Sequence, residues 1–142
     1  MKTYFAKKGE IQPNWYVVDA TDKTIGRIAT EVSKVLRGKH RPTFTPNQDT
    51  GDYVVVINSE KVRMSGNKWT QKSYYHHTGY FGGIKEIRAD KLLEKDAKQI
   101  IESAVSGMMP KTKLGRKQLK KLKAYNGAEH PHTAQKVEAL NL

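Results

Sequence analysis

The stretch WYVVDATDKTIGRIATEVSKVLRG, residues 15–38, decides the fold. It opens with Trp15–Ala20, a short β-rich apolar run that reads as a buried strand. Ile25, Ile28, Ala29, Val32, Val35 and Leu36 then recur at helical spacing and form one apolar stripe. Thr21 or Asp22 stands where the helix needs an N-terminal cap, and Gly38 where it needs a C-terminal one. Downstream, Asp52–Ile57 (DYVVVI) is a second continuous apolar strand. Strand, helix and strand, with apolar residues at consecutive strand positions, predict a parallel βαβ unit whose sheet is covered on both faces. The loop between helix and second strand, Lys39–Gly51, is long and holds Pro42 and Pro46. Loops of that length in compact domains are commonly functional or ordered by a partner.

Beyond Asn58 the pattern weakens. Lys72–His77 reads as a strand. Thr78–Gly83, with three glycines and two aromatics, reads as a loop. A helix is expected from Asp90, an acidic cap, to about Val105, with a break near Asp96; Ala97, Ile100, Ile101, Ala104 and Val105 form its buried stripe. A short helix from about Leu114 is anchored by Leu119 and Leu122. The expectation is one domain over residues 1–142, with an N-terminal arm (1–13) and a peripheral C-terminal tail (127–142). The 142-residue length fits a single domain with a real core.

Composition removes several classes. With no cysteine there is no disulfide framework and no thiolate metal site. The longest apolar stretch, Tyr53–Ile57, is far short of the ~20 residues of a membrane helix. The first residues, MKTYFAKKGE, lack the apolar core of a signal peptide, so a cytoplasmic chain is expected. Against these absences stands a net charge of +12, from 26 Lys and Arg against 14 Asp and Glu. Such an excess points to a polyanion, above all nucleic acid.

The charge is concentrated. Residues 105–127 hold Lys111, Lys113, Arg116, Lys117, Lys120, Lys121 and Lys123 and no acid. Residues 33–48 hold Lys34, Arg37, Lys39 and Arg41, plus His40, and no acid. Residues 61–85 hold Lys61, Arg63, Lys68, Lys72 and Lys85 and no acid. A solvated helix normally interleaves signs to gain i,i+4 pairs; the last block has none to make. Trp69, Tyr74, Tyr75, His76, His77, Tyr80 and Phe81 lie among these cations, and flat side chains stack on unpaired bases while Lys and Arg meet phosphates. No helix-turn-helix, zinc-finger, basic-zipper or RNA-recognition signature is visible, which favours folded RNA over a DNA groove.

Enzyme readings fare worse. Neither GxxxxGK[ST] nor GxGxxG occurs. Asp22 and Asp52 read as cap or turn residues. His76 and His77 are adjacent, so on a strand they point to opposite faces; His130 and His132 have no third ligand, and no metal or cofactor is expected. His77-Thr-Gly-Tyr80 is partly similar to the HxGH motif of adenylyl transferases, and Arg63-Met64-Ser65 to their KMSKS loop. Tyr80 replaces the second His, and the two elements run in the reverse order.

Four ordered blocks carry a stronger likeness: WYVVDATDKTIGRIATEVSKVLRGKH, DTGDYVVVINSEKV, YYHHTGYFGGIK and VSGMMPKTKLGRKQLKKLKAYNG. From about Trp15 to Gly127 they resemble the bacterial large-subunit ribosomal protein L-thirteen (uL-thirteen) family. That resemblance implies a three-layer α/β/α domain around a mostly parallel four-stranded sheet, with basic loops and extensions. It also implies a structural, non-enzymatic part of the large ribosomal subunit that binds large-subunit (23S) rRNA early in assembly. Neighbouring ribosomal proteins would be its other partners, with no membrane and no small-molecule substrate.

Both readings lead to electrostatic docking on RNA. Lys111, Lys113, Arg116, Lys117, Lys120, Lys121 and Lys123 are expected to form the main phosphate-binding face. Lys34, Arg37, Lys39, His40 and Arg41 form a second. Arg63, Lys68 and Lys72 form a third, beside Tyr74, Tyr75, His76 and His77 and the glycine loop with Gly82 and Gly83, where backbone can approach RNA closely. The same surfaces would suit an RNA-binding regulator acting off the ribosome; co-sedimentation with large subunits at high salt separates the two.

Overall fold

The structure, a computed structural model, describes residues 4–7 and 9–140. Its elements in chain order are β1 (Trp15–Asp19), α1 (Ile25–Arg37), β2 (Tyr53–Ile57), a 3-10 turn (Ser59–Lys61), α2 (Lys68–Gln71), β3 (Ser73–His77), β4 (Ile84–Arg88), α3 (Ala89–Met108), α4 (Lys113–Leu119), β5 (Leu122–Ala124) and β6 (Val137–Ala139). Four strands form one parallel sheet in the order β5-β2-β1-β6. β3 and β4 form a separate antiparallel hairpin. The α/β class and the parallel βαβ start follow the expectation.

Side chains alternate along a strand, so each face of the sheet can be read separately. Val18, Val54 and Val56 face the helices, where they pack with Ile28, Val32 and Leu36 of α1 and Ile101 and Val105 of α3. Each such side chain, fully buried, contributes roughly 1.5–3 kcal/mol. Val55, also fully buried, projects to the opposite face. There Trp15 stacks on Tyr53 with ring centroids 4.3 Å apart. His132 lies 4.9 Å from the Trp15 ring, and the Tyr125 hydroxyl is 2.8 Å from His132 Nε2. Burial, then the nearby His130 and Lys123, hold His132 below the ordinary histidine pKa. The cover opposite the helices is therefore an aromatic cluster closed by the C-terminal segment.

Three local expectations change. Neither Thr21 nor Asp22 caps α1. Thr21 gives both its N–H and its hydroxyl to Asp19 Oδ1, at 3.0 and 2.7 Å, and Asp22 sits in the left-handed region at φ +56°. The helix starts later, with Thr24 as N-cap and no side-chain cap bond. Leu122 does not extend the α4 helix; it pairs with Val54 as the start of β5. The segment read as a peripheral tail supplies β6, which adds the sheet's fourth strand by pairing Trp15 with Val137 and Val17 with Ala139. Strands of three residues are too short to show a period of two, and pairing defines them instead.

The C-terminal end of α1 fixes the long loop. Gly38, at φ +81°, caps the helix by donating its N–H to Val35 O. Gly51 returns the chain against the same turn so closely that a Cβ there would fall 1.7 Å from the Leu36 carbonyl oxygen. α3 breaks at Asp96, whose φ of −160° and ψ of 88° leave the helical region.

Candidate nucleic-acid interface

The acid-free block 105–127 builds α4 and its flanks. Thr112 caps the helix, its hydroxyl accepting from the Gly115 N–H at 3.1 Å, and Gln118 buries the inner face. Lys111, Lys113, Arg116, Lys117 and Lys120 are exposed. None of the five pairs with a carboxylate among the described residues. They form a surface of cations with no internal partner.

Two residues of that block lie elsewhere. Lys121 turns inward, its Nζ 2.7 Å from Asp49 Oδ1 and 2.9 Å from Gly51 O, and 5.6 Å from the Tyr53 ring centroid. Lys123 lies opposite Val55 in β5, on the aromatic face near His132. Lys121 thus joins the strand after α4 to the long loop, and its charge is already neutralised.

The residues at the end of α1 divide in the same way. Lys34 pairs with Glu31 in solvent at 2.7 Å, while Arg37 is half-buried and Lys39 is exposed. His40 and Arg41 converge on Asp52, whose side chain is fully buried. His40 Nε2 lies 2.7 Å from Asp52 Oδ2, and Arg41 meets both carboxylate oxygens. The Asn14 N–H donates to Asp52 Oδ1 at 2.7 Å, and Arg41 also donates to Gln12 O at 3.0 Å. Asp52 is therefore the hub that ties arm and loop to β2, where the sequence offered only a turn residue. A buried carboxylate persists when its lone pairs are occupied, and here they are.

In the third region, Arg63, Lys68 and Lys72 line one cleft of about 450 Å³ with the first turn of α1 and the end of α3. That first turn holds no acid, and its helix dipole adds to the positive potential. A second cleft, about 470 Å³, lies between the hairpin and α3. Tyr74, Tyr75 and His76 line it, with Lys85, Lys95 and Gln99. Tyr74 is half-buried against Ile87 and Leu92, which raises its hydroxyl pKa, and Lys72 Nζ sits 5.2 Å from its ring centroid. Trp69 is half-buried, packed against the main core and against a second apolar cluster of Met64, Ala89, Leu92 and Ile100. His77 lies at the hairpin end beside the turn with Gly82 and Gly83. Lys95 comes from a near-neutral stretch, so its approach to this cleft has no signal in the sequence. Among the described residues no helix is long and apolar enough to cross a membrane.

Comparison with known proteins gives a consistent result. The family model described as Ribosomal protein L13 matches residues 13–131. Proteins named large ribosomal subunit protein uL13 align over the whole of this chain and the whole of their own length. Those of Chromohalobacter salexigens are 57% identical, and those of Acidithiobacillus ferrooxidans and Francisella tularensis subsp. novicida 56%.

Proposed function

The chain belongs to the ribosomal protein L13 family, and from that footing we propose that it docks on large-subunit (23S) rRNA through its unpaired basic surfaces, early in subunit assembly. It is a structural, non-enzymatic constituent of the large ribosomal subunit, in the cytoplasm where that particle works. The observation that supports RNA docking best is the α4 surface, where five exposed cations have no carboxylate partner among the described residues. The cleft of Arg63, Lys68 and Lys72 adds a second contact region. Neutralising each phosphate releases counterions, so log affinity falls against log salt with a slope of ~0.7–0.9 per phosphate contacted. Lys121 and Arg41 act at one remove, by holding the long loop against the sheet.

The test is binding of the purified protein to large-subunit rRNA fragments and to a generic duplex of equal length over a salt series. A steep slope with strong preference for particular fragments is expected. A steep slope without preference would reduce the protein to a non-specific basic binder and defeat the assembly role. The informative variant reverses Lys113, Lys117 and Lys120 to Glu and leaves Lys121 in place.

A further inference from the structure

The β3–β4 hairpin displays Tyr75, Tyr80, Phe81 and Ile84 to solvent, with Phe81 fully exposed and Tyr80 79% exposed. The turn that carries the last aromatics is not loose. Thr78 N–H donates to Gly83 O at 2.9 Å, Gly83 N–H to Tyr80 O at 2.9 Å, and Gly79 N–H to His77 Nδ1 at 2.9 Å. Gly79 and Gly82 take φ of +89° and +67°, which glycine enters without strain. A Cβ on Gly83 would fall 2.0 Å from Thr78 Oγ1. A fixed turn that holds two large apolar rings in water is a surface awaiting a partner.

The surrounding charge says which partner. Residues 61–85 contain five cations and no acid, and Lys85 on β4 lies across from His76 near the turn that carries the rings. Glu86, the acid within the two strands, is engaged by the Tyr75 hydroxyl at 3.3 Å. Aromatic rings among cations is the arrangement that stacks unpaired bases while neutralising their phosphates. An apolar protein surface has no need of those cations. We propose that Tyr80 and Phe81 form a rigid stacking wedge for unpaired bases of the bound RNA, an inference that rests on the RNA-docking reading above. Stacking is indifferent to salt, so the wedge contributes a part of the affinity that the basic faces do not.

Phe81→Ala and Phe81→Trp in the full chain test it, against an rRNA fragment with an unpaired loop and against a blunt duplex. Phe81→Ala is expected to weaken loop binding roughly tenfold to a hundredfold with the salt slope unchanged. It should leave duplex binding and the thermal midpoint unaltered. Phe81→Trp should restore loop affinity, and its added emission should be quenched by the loop RNA and not by the duplex. Equal loop affinity for Phe81→Ala and wild type, with no quenching in Phe81→Trp, would overturn the wedge. If Phe81→Ala then also failed to enter large subunits, the rings would face a protein neighbour. Failure of wild type to prefer any rRNA fragment would instead defeat the docking reading itself.

Discussion

Arg41 and Lys121 carry the same formal charge as Lys117 and Lys120, yet the two sets stand in opposite electrostatic conditions. Arg41 and Lys121 end on carboxylates, Asp52 and Asp49, inside the seam between the long loop and the sheet. Lys117 and Lys120 project from or beside α4 into water with no carboxylate within reach among the described residues. The first set stabilises the fold and is spent there. The second gains nothing from folding and repels its neighbours, so its charge remains available for phosphate. Net charge alone does not distinguish them; the position of two aspartates, Asp49 and Asp52, does.

The contrast can be broken most forcefully at its hub. Asp52→Ala removes the carboxylate that holds His40, Arg41 and the Asn14 N–H, and should cost about 3–5 kcal/mol in urea denaturation. Hydrogen exchange at Asn14 should accelerate with it. Next comes a paired test. Lys121→Met strands Asp49 and should cost about 1.5–3 kcal/mol, whereas Lys117→Met should change stability by no more than about 0.5 kcal/mol. In RNA binding the order inverts, with Lys117→Met giving the smaller salt slope and Lys121→Met leaving the slope intact.

Two pH tests sharpen the comparison from the side of the sheet. His132 titrates below its ordinary 6.5, chiefly because partial burial desolvates its charged form. As pH falls, the unfolded chain takes up that proton first, so the stability is full above 6.5 and declines below it toward the folded value. Thermal midpoints from pH 7.5 to 5 should therefore fall, and His132→Gln should flatten that part of the curve. Asp19 acts at lower pH. The Asn58 amide, then the Thr21 N–H and hydroxyl, lower its pKa from 3.8 to about 2. Its contribution is present above 3.8 and is lost as pH drops toward 2. Asp19→Asn should remove that slope alone in acid denaturation.

What was legible in the sequence followed from repetition. The stripe from Ile25 to Leu36, the runs Trp15–Ala20 and Asp52–Ile57, the break at Asp96 and the cap at Gly38 all correspond to the structure within a residue or a few. β5 and β6 were not legible as strands, since three residues make no periodic signal and their register comes from β2 and β1. For the candidate interface, the sequence located the cations but not their partners. Asp52 looked like a turn residue, because the Arg41 and Asn14 groups that bury it are brought there by the loop and the arm. Lys121 looked equivalent to Lys120, because nothing in a helix-like run of lysines shows which one meets an aspartate 72 residues away.

The sheet order has a consequence in time. β1 is the first strand in the chain and β6 the last, yet they are neighbours. A chain made from its N-terminus leaves that edge of β1 open until residues 137–139 emerge, long after the α1 end, the hairpin and α4 are complete. Until then the β1 edge presents unpaired backbone groups, and its closure by β6 is the last pairing that completes the sheet.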